Sequence, residues 1–320
     1  MSARLALVAT GGTIACTLDD GGRAVKTLRA ADLLARAPVP SGVEVTTTDA
    51  GLVSSWDLTP PAMLAVARAV EQLAAGCDGV VGTHGTDTLE ETAALLSFAV
   101  RRPGTVVVTG AMRAADEPGS DGPANLRNAL AVAAAPEAAG RGALVVFGDA
   151  VHLATRVTKR HSAGLLAFGS PDTGPVGLVH DGRVLFLAPA QPPTTYAVAH
   201  ADADVPLLVA VPGAPARLVE AALAGADGLV VAGVGLGHLP SWWMPLLGDA
   251  VARGVPVVRA TRTPAGPVGG RYAGAGGDVD AEERGLLSAG YRTPYAARIE
   301  LICALGSGAD PAEVFSRPLP

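Results

Sequence analysis

Two threonines, each at the end of an apolar run and each beside glycine, are the residues of this chain best suited to chemistry. The first is Thr13, in Leu5-Ala6-Leu7-Val8-Ala9-Thr10-Gly11-Gly12-Thr13-Ile14-Ala15. Glycine tolerates backbone angles closed to other residues, so Gly11-Gly12 can turn sharply and present Thr13 at the carboxyl end of a buried strand. In open α/β sheets that edge is where ligands bind. A hydroxyl fixed there becomes a nucleophile once a neighbour accepts its proton. The second stretch, Asp78-Gly79-Val80-Val81-Gly82-Thr83-His84-Gly85-Thr86-Asp87-Thr88-Leu89-Glu90-Glu91-Thr92, repeats the device and then opens a helix. One such turn is an ordinary turn. Two in one parallel sheet can face each other across a crevice.

Catalysis by such a hydroxyl needs, besides the nucleophile, a proton acceptor, donors for developing negative charge and a substrate clamp. Thr13 is the candidate nucleophile. Thr86 can position water, contact substrate or relay a proton. Asp87 can pair with a substrate ammonium, and as Asp it can also cap the helix that follows. Backbone N–H groups at Gly12 and Gly85, the latter near a helix start, are candidates for an oxyanion site.

The elements that must carry these groups read as alternating strands and helices. Val43–Thr47, Gly79–Thr83, Thr105–Thr109 and Leu144–Phe147 follow the first strand as further strands. Helices are expected from Thr59-Pro60-Pro61 onward, over Thr88–Val100 and over Asn125–Ala134. Cys16 to Lys26, with Asp-Asp-Gly-Gly at its centre, reads as a turn or mobile loop. The proline-rich stretch Ala188–Thr195 is a linker candidate. Beyond it come a strand at Val205–Val211, a helix at Ala214–Ala224, a strand at Gly228–Val231, a helix at Ser241–Arg253 and a strand at Val255–Val258. The expected class is α/β: a larger N-terminal, doubly wound, mainly parallel sheet domain followed by a smaller α/β domain. The expected limits are 1–187 for the catalytic domain, 188–204 for the linker and 205–320 for the second domain.

Ala9-Thr10-Gly11-Gly12-Thr13-Ile14-Ala15 and Thr83-His84-Gly85-Thr86-Asp87-Thr88 resemble the two signatures of the bacterial-type L-asparaginases, a family of asparaginase–glutaminase amidohydrolases. The resemblance implies a threonine acyl-enzyme, L-asparagine as substrate with weaker action on L-glutamine, and no cofactor. It gives Lys159, in Val157-Thr158-Lys159-Arg160, the part of completing a hydroxyl–lysine–carboxylate relay with Thr86 and Asp87. It matches Ser55 to the serine that binds the substrate's α-carboxylate. Trp56 stands where better-known members carry a polar residue, often Gln, which implies a narrower or drier pocket. Thr109–Arg113 and Ser120–Leu126 resemble segments read as wall and helix start. Many members place a tyrosine on the loop after the first threonine. This chain has none between Thr13 and Ser55, and its four are Tyr196, Tyr272, Tyr291 and Tyr295. Gly233-Val234-Gly235-Leu236-Gly237-His238 occupies a glycine-rich segment that in some members reaches a neighbouring subunit's site, with His238 where they have Asn. The implied assembly is a homo-oligomer, dimer or tetramer.

Composition bounds the rest. With 320 residues, 49% hydrophobic and 17% charged, the chain can bury a sizeable core. A formal charge of −6 with no Lys/Arg cluster argues against nucleic acid and anionic membrane as partners. Cys16, Cys77 and Cys303 form no disulfide framework, and no leader pattern precedes Leu5, from which a cytoplasmic location is expected. The histidines, His84, His152, His161, His180, His200 and His238, show no metal-ligand spacing. A G-x-x-x-x-G-K-[ST] phosphate loop is absent, so nucleotide binding is a weak reading. Two rivals to the enzyme are carried forward. One is a non-catalytic amino-acid sensor using Ser55 and Asp87. The other is an amidotransferase component that releases ammonia for a partner.

Overall fold

The computed structural model describes residues 2–102 and 104–317. The chain divides into two compact units, the first running to Thr195 and the second starting at Tyr196. This division falls within the 188–204 segment.

In the first unit, β1 (Ala3–Gly11) is buried along its whole length from Leu5 to Gly11. Such a run, apolar on both faces, belongs in the middle of a parallel sheet. After it come a hairpin, β2 (Cys16–Leu18) and β3 (Ala24–Lys26), a helix α1 (Ala30–Arg36) and β4 (Val43–Val53). The chain then crosses through α2 (Pro60–Ala74) to β5 (Gly79–Thr83). It continues with α3 (Leu89–Ala99), β6 (Thr105–Thr109), α4 (Gly122–Ala134) and β7 (Ala143–Phe147). An antiparallel edge follows, made by β8 (Ala150–Leu153) and, after the two-residue strands β9 (Thr158–Lys159) and β10 (Phe168–Gly169), by β11 (Gly177–His180) and β12 (Arg183–Phe186). The eight-stranded order is β12-β11-β8-β7-β6-β5-β1-β4, parallel from β4 to β7. Helices α1 and α4 touch each other, as do α2 and α3, which gives one helical layer on each face. Helix α2 shows why the sequence folds this way. Thr59 caps its start by accepting from the Ala62 N–H, Pro60 supplies the first turn, and Met63, Leu64, Ala67, Val70 and Ala74 are buried.

From β1 the chain goes to β4 on one side and then to β5 on the other. That reversal leaves a crevice at the carboxyl ends of these strands.

The second unit holds a four-stranded parallel sheet in the order β13 (Leu207–Val209), β14 (Leu229–Gly233), β15 (Val257–Thr261), β16 (Leu287–Ser288). Its helices are α5 (Arg217–Leu223), α6 (Met244–Ala252), α7 (Asp278–Glu283), α8 (Pro294–Ser307) and α9 (Pro311–Ser316). Trp243, Met244, Leu247 and Val231 centre its core.

Prolines explain most boundary differences from the sequence reading. Pro206 lacks an N–H and Pro212 follows closely, so the strand expected over Val205–Val211 spans only Leu207–Val209. Pro215 delays the helix expected from Ala214 until Arg217. Pro245 sits in the first turn of a helix that starts at Met244, not Ser241. The segment Cys16–Lys26 is a paired hairpin with the expected turn at its centre. Its tip is fixed by Asp19, which accepts from the N–H groups of Gly21 and Arg23 at 2.9 Å each.

One buried network closes the second unit. Arg292 Nε donates to Glu300 Oε2 at 2.6 Å, Tyr196 donates to Glu300 Oε1 at 2.8 Å, and Arg292 Nη2 donates to the carbonyl of Val314. Removing one partner leaves a buried charge uncompensated, which costs about 3–5 kcal/mol. Arg292→Met is therefore expected to lower the unfolding transition of this unit in scanning calorimetry. Combining it with Glu300→Leu should recover part of the loss.

Candidate active site

Three strand ends lie side by side. Gly11 of β1 lies opposite Val53 of β4, and Ala9 lies opposite Thr83 of β5. The chain therefore delivers Ser55, Thr13 and the Thr86 turn to adjacent points. The Thr10 hydroxyl donates to the Thr83 carbonyl at 2.8 Å and ties two of the strands just below. Gly12 has φ 84°, a conformation that only glycine adopts freely. A Cβ on Gly12 would run into the backbone of Gly85. A Cβ on Gly85 would come to 2.6 Å from the Ser55 Oγ. Glycine meets glycine, and glycine meets serine. Thr13 follows directly, half-buried, at the head of a single 3-10 turn over Thr13–Ala15. Ser55 is buried, and its carbonyl accepts from the Thr88 hydroxyl at 2.7 Å.

Lys159 arrives from β9. Its Nζ lies 2.9 Å from Thr86 Oγ1 and 2.6 Å from Asp87 Oδ1. The lysine side chain is 13% exposed and that of Asp87 is 52% exposed. One end of the chain of contacts is thus enclosed while the carboxylate faces solvent. Such an arrangement can pass a proton between a hydroxyl and an amine and still offer an anionic oxygen to a soluble ligand. Asp87 is not the helix cap. Thr88 holds the cap position of α3, which leaves the Asp87 carboxylate to Lys159.

The surrounding loops are held by carboxylates. Asp121 accepts from the N–H groups of Met112 and Arg113 and from Asn125 Nδ2, which fixes the Gly110–Arg113 wall. Trp56 directly follows the buried Ser55. It is 69% exposed, and the Lys26 ammonium sits 5.8 Å above its ring. Its neighbours on the chain are short polar residues, and Lys26 is anchored to Ser54 at 2.5 Å, which holds the ammonium beside the exposed indole.

In the second unit, His238 forms a cluster of its own. Its Nε2 lies 3.1 Å from Asp278 Oδ2, and the Tyr272 ring stands edge-on at 4.8 Å. Arg259 pairs with the other Asp278 oxygen, and both side chains are buried. Burial alone would raise the Asp278 carboxyl, but the bonds from Arg259 and His238 hold it below the ordinary carboxylate range. His84 and His152 of the first unit are core residues. The first is set against the Gly85 carbonyl and the second against the Ser170 hydroxyl. Burial pushes the His152 imidazole down to about 4. Among the described residues, no group of three or more His, Cys, Asp and Glu side chains is placed to hold a metal ion.

The sequence reading passed over Glu90. The residue is only 8% exposed, and burial pushes its carboxyl up to about 7. An acidic residue in a helix's first turn is usually a solvated partner of the helix dipole. Nothing in spacing or composition marks this one as buried.

Comparison with known proteins follows the two units. The N-terminal asparaginase domain model matches residues 4–192, and the glutaminase/asparaginase C-terminal domain model matches residues 204–316. A probable L-asparaginase of Deinococcus radiodurans is 40% identical, over 97% of this chain and 95% of its own. A probable periplasmic L-asparaginase of Haemophilus influenzae is 36% identical, over 81% of this chain and 75% of its own. A glutamyl-tRNA(Gln) amidotransferase component of Haloquadratum walsbyi is 32% identical, over 98% of this chain and 74% of its own.

The glycine contact makes a direct prediction. Gly12→Ala should fold but push the Gly85 turn away, carrying Thr86 off Lys159. A misplacement of about 1 Å costs on the order of 10²-fold in rate. Turnover measured beside circular dichroism should show native secondary structure with a loss of that size.

Proposed function

The chain belongs to the asparaginase family, and on that premise we propose that it hydrolyses L-asparagine to L-aspartate and ammonia through a threonine acyl-enzyme. The observation that carries this reading is the contact of Lys159 with both Thr86 and Asp87 beside the Thr13 turn. Thr13 Oγ attacks the amide carbon and passes its proton to the Thr86–Lys159 pair. The tetrahedral oxygen is held by backbone N–H groups at Gly12 and Gly85. Collapse breaks the C–N bond, the nitrogen takes up a proton, and ammonia leaves. Water, deprotonated by the same pair, then attacks the ester carbon, releases aspartate and restores the Thr13 hydroxyl. Ser55 clamps the α-carboxylate, and Asp87 pairs with the α-ammonium. None of these steps calls for a metal or cofactor.

L-Glutamine is the weaker substrate in this reading. Trp56 beside the Ser55 clamp disfavours the longer side chain. A methylene is worth only about 1–3 kcal/mol, so the discrimination is modest. With its ring exposed in one subunit, Trp56 acts on chain length only where another subunit covers it. The same reasoning favours a homo-oligomer: nearly all site candidates lie before residue 160, which leaves one side of the pocket unbuilt. The Gly233–His238 segment of a neighbouring subunit is the candidate for that side. Three free cysteines, Cys16, Cys77 and Cys303, fit a reducing, cytoplasmic setting. Among the described residues, no helix is long and apolar enough to cross a membrane.

The similarity to the Haloquadratum walsbyi amidotransferase component favours a second reading, in which ammonia is released for a partner. Ammonia release from L-asparagine by this chain alone separates the two. A sensor would need no relay, and the Thr86–Lys159–Asp87 contacts speak for the enzyme.

Thr13→Ala is expected to abolish turnover while leaving aspartate binding measurable by calorimetry. Lys159→Met should cost what a general base is worth, roughly 10²–10⁴-fold in kcat. A covalent adduct trapped on Thr86 in the Thr13→Ala protein, seen by mass spectrometry, would reverse the roles of the two threonines. Light scattering on the active protein should give a dimer or tetramer, and a fully active monomer would remove the neighbouring subunit from the site.

A further inference from the structure

Between the Thr13 turn and the Ser55 turn stands a cation that no step above uses. Lys26 is the last residue of β3, and its backbone pairs with Cys16, three positions after Thr13. The chain there is tied down further by Thr27 and Leu28, whose N–H groups both donate to the Ala15 carbonyl. The other strand of the hairpin is fixed as well. The Leu18 N–H donates to both carboxylate oxygens of Asp116 at 3.0 Å, and the Ala115 N–H donates to the Cys16 carbonyl at 2.8 Å. From this docked hairpin the Lys26 side chain reaches across to the Ser55 turn. Its Nζ donates to Ser54 Oγ at 2.5 Å and lies 5.8 Å from the centre of the Trp56 ring. Those two residues flank Ser55 in the chain.

Neither contact neutralises the charge. A hydroxyl brings only a dipole, and a ring at 5.8 Å stands at the outer limit of a cation–π contact. Among the described residues no carboxylate pairs with Lys26, Asp57 of the Ser55–Asp57 turn included. The basic residues before and after it are matched, Arg23 with Asp19 and Arg29 with Asp49. A lysine placed only to dock a hairpin gains most from a carboxylate partner. A hydroxyl partner leaves its charge to act on something else. Beyond the Thr86 turn the sign reverses, where Asp87 offers a half-exposed carboxylate that meets Lys159 on one side. Positive charge beside Ser55 and negative charge beyond Thr86 match the two ends of a zwitterionic α-amino acid.

We propose that Lys26 is a specificity-determining residue: anchored on Ser54, its ammonium sets a positive charge beside the Ser55 clamp and selects ligands that carry a carboxylate. The inference rests on the reading of Ser55 as the α-carboxylate clamp. Ser55 offers one hydroxyl, which can donate to a carboxylate or to any neutral acceptor. A fixed charge next to it tells the two apart, because Coulomb attraction of this kind acts on the anion. Lys26 gives up no proton in the reaction. It contributes to binding and leaves the chemistry at Thr13 as it is.

Lys26→Met in the full-length protein is the test, since methionine keeps an apolar stem against Trp56 and removes the charge. At low salt its KM for L-asparagine should rise roughly 10-fold, what a unit charge is worth over about 8 Å at an effective dielectric constant between about 20 and about 80. Its kcat should stay within about twofold, as when binding is lost equally from ground state and transition state. Lys26→Arg, which keeps the charge, should hold KM within about twofold of wild type. Raising the salt from about 20 mM to about 500 mM should raise KM in the wild type and leave that of Lys26→Met nearly unchanged. β-Alaninamide, which is asparagine without the α-carboxylate, should inhibit Lys26→Met no less than wild type. Wild-type KM in Lys26→Met would overturn the inference. So would an equal loss of affinity for L-asparagine and β-alaninamide, or a fall of Tm and kcat with KM unchanged, which is what a lysine that only docks the hairpin would give. Ser55→Ala is measured alongside, with L-aspartate binding read by calorimetry. If it binds L-aspartate as wild type does, the clamp reading has failed and this inference with it. If it binds L-aspartate more weakly while Lys26→Met keeps wild-type KM, only the inference about Lys26 has failed.

Discussion

The contact between the Gly12 and Gly85 backbones is the constraint on which the first unit's chemistry depends. Two strand-end turns approach so closely that neither position has room for a Cβ, and the second also presses on Ser55. Protein backbones rarely meet at this range, because side chains hold them apart. Here the sheet brings β4, β1 and β5 side by side, and the glycines let their loops close over the gap. Thr13 and Thr86, each the residue that follows one of these glycines, are thereby carried on turns whose backbones touch. Everything else around the crevice keeps that arrangement still: the Thr10–Thr83 bond below it, the Thr88–Ser55 bond across it, and Asp121 bracing the wall.

Much of this is legible in the amino-acid sequence, for a physical reason. Apolar runs that end in glycine and hydroxyl residues mark central parallel strands and the crevice at their carboxyl ends. The alternation of strands and helices likewise identified both sheets. Boundaries were less legible, because Pro206, Pro215 and Pro245 decide where the second unit's elements start and local pattern does not weigh them against packing. The antiparallel edge of β8, β11 and β12 was not visible either, since its strands are only four residues long and β12 has no fully buried position.

Side-chain environment was the least legible level. Trp56 looks like a pocket wall by its place in the chain, yet it stands in solvent with Lys26 above it. Glu90 looks like a surface acid by its place in a helix, yet it is buried. Asp87 fits a helix cap, but Thr88 takes that position and frees the carboxylate. In each case the residue type allows either outcome. What decides is which distant segment packs against it, and β9 lies some 70 residues further along the chain.

That separation has a consequence for how the protein comes into being. The Thr13, Ser55 and Thr86 turns belong to strands that pair early in chain order, whereas the Lys159 amine that contacts Thr86 and Asp87 is 72 residues beyond Asp87. Closing so long a loop is slow relative to local pairing. A chain emerging in order from its N-terminus therefore builds the threonine turns first, and the contacts of Lys159 with Thr86 and Asp87 form only once β9 docks. On the proposed reading of Lys159, competence arrives only with that docking.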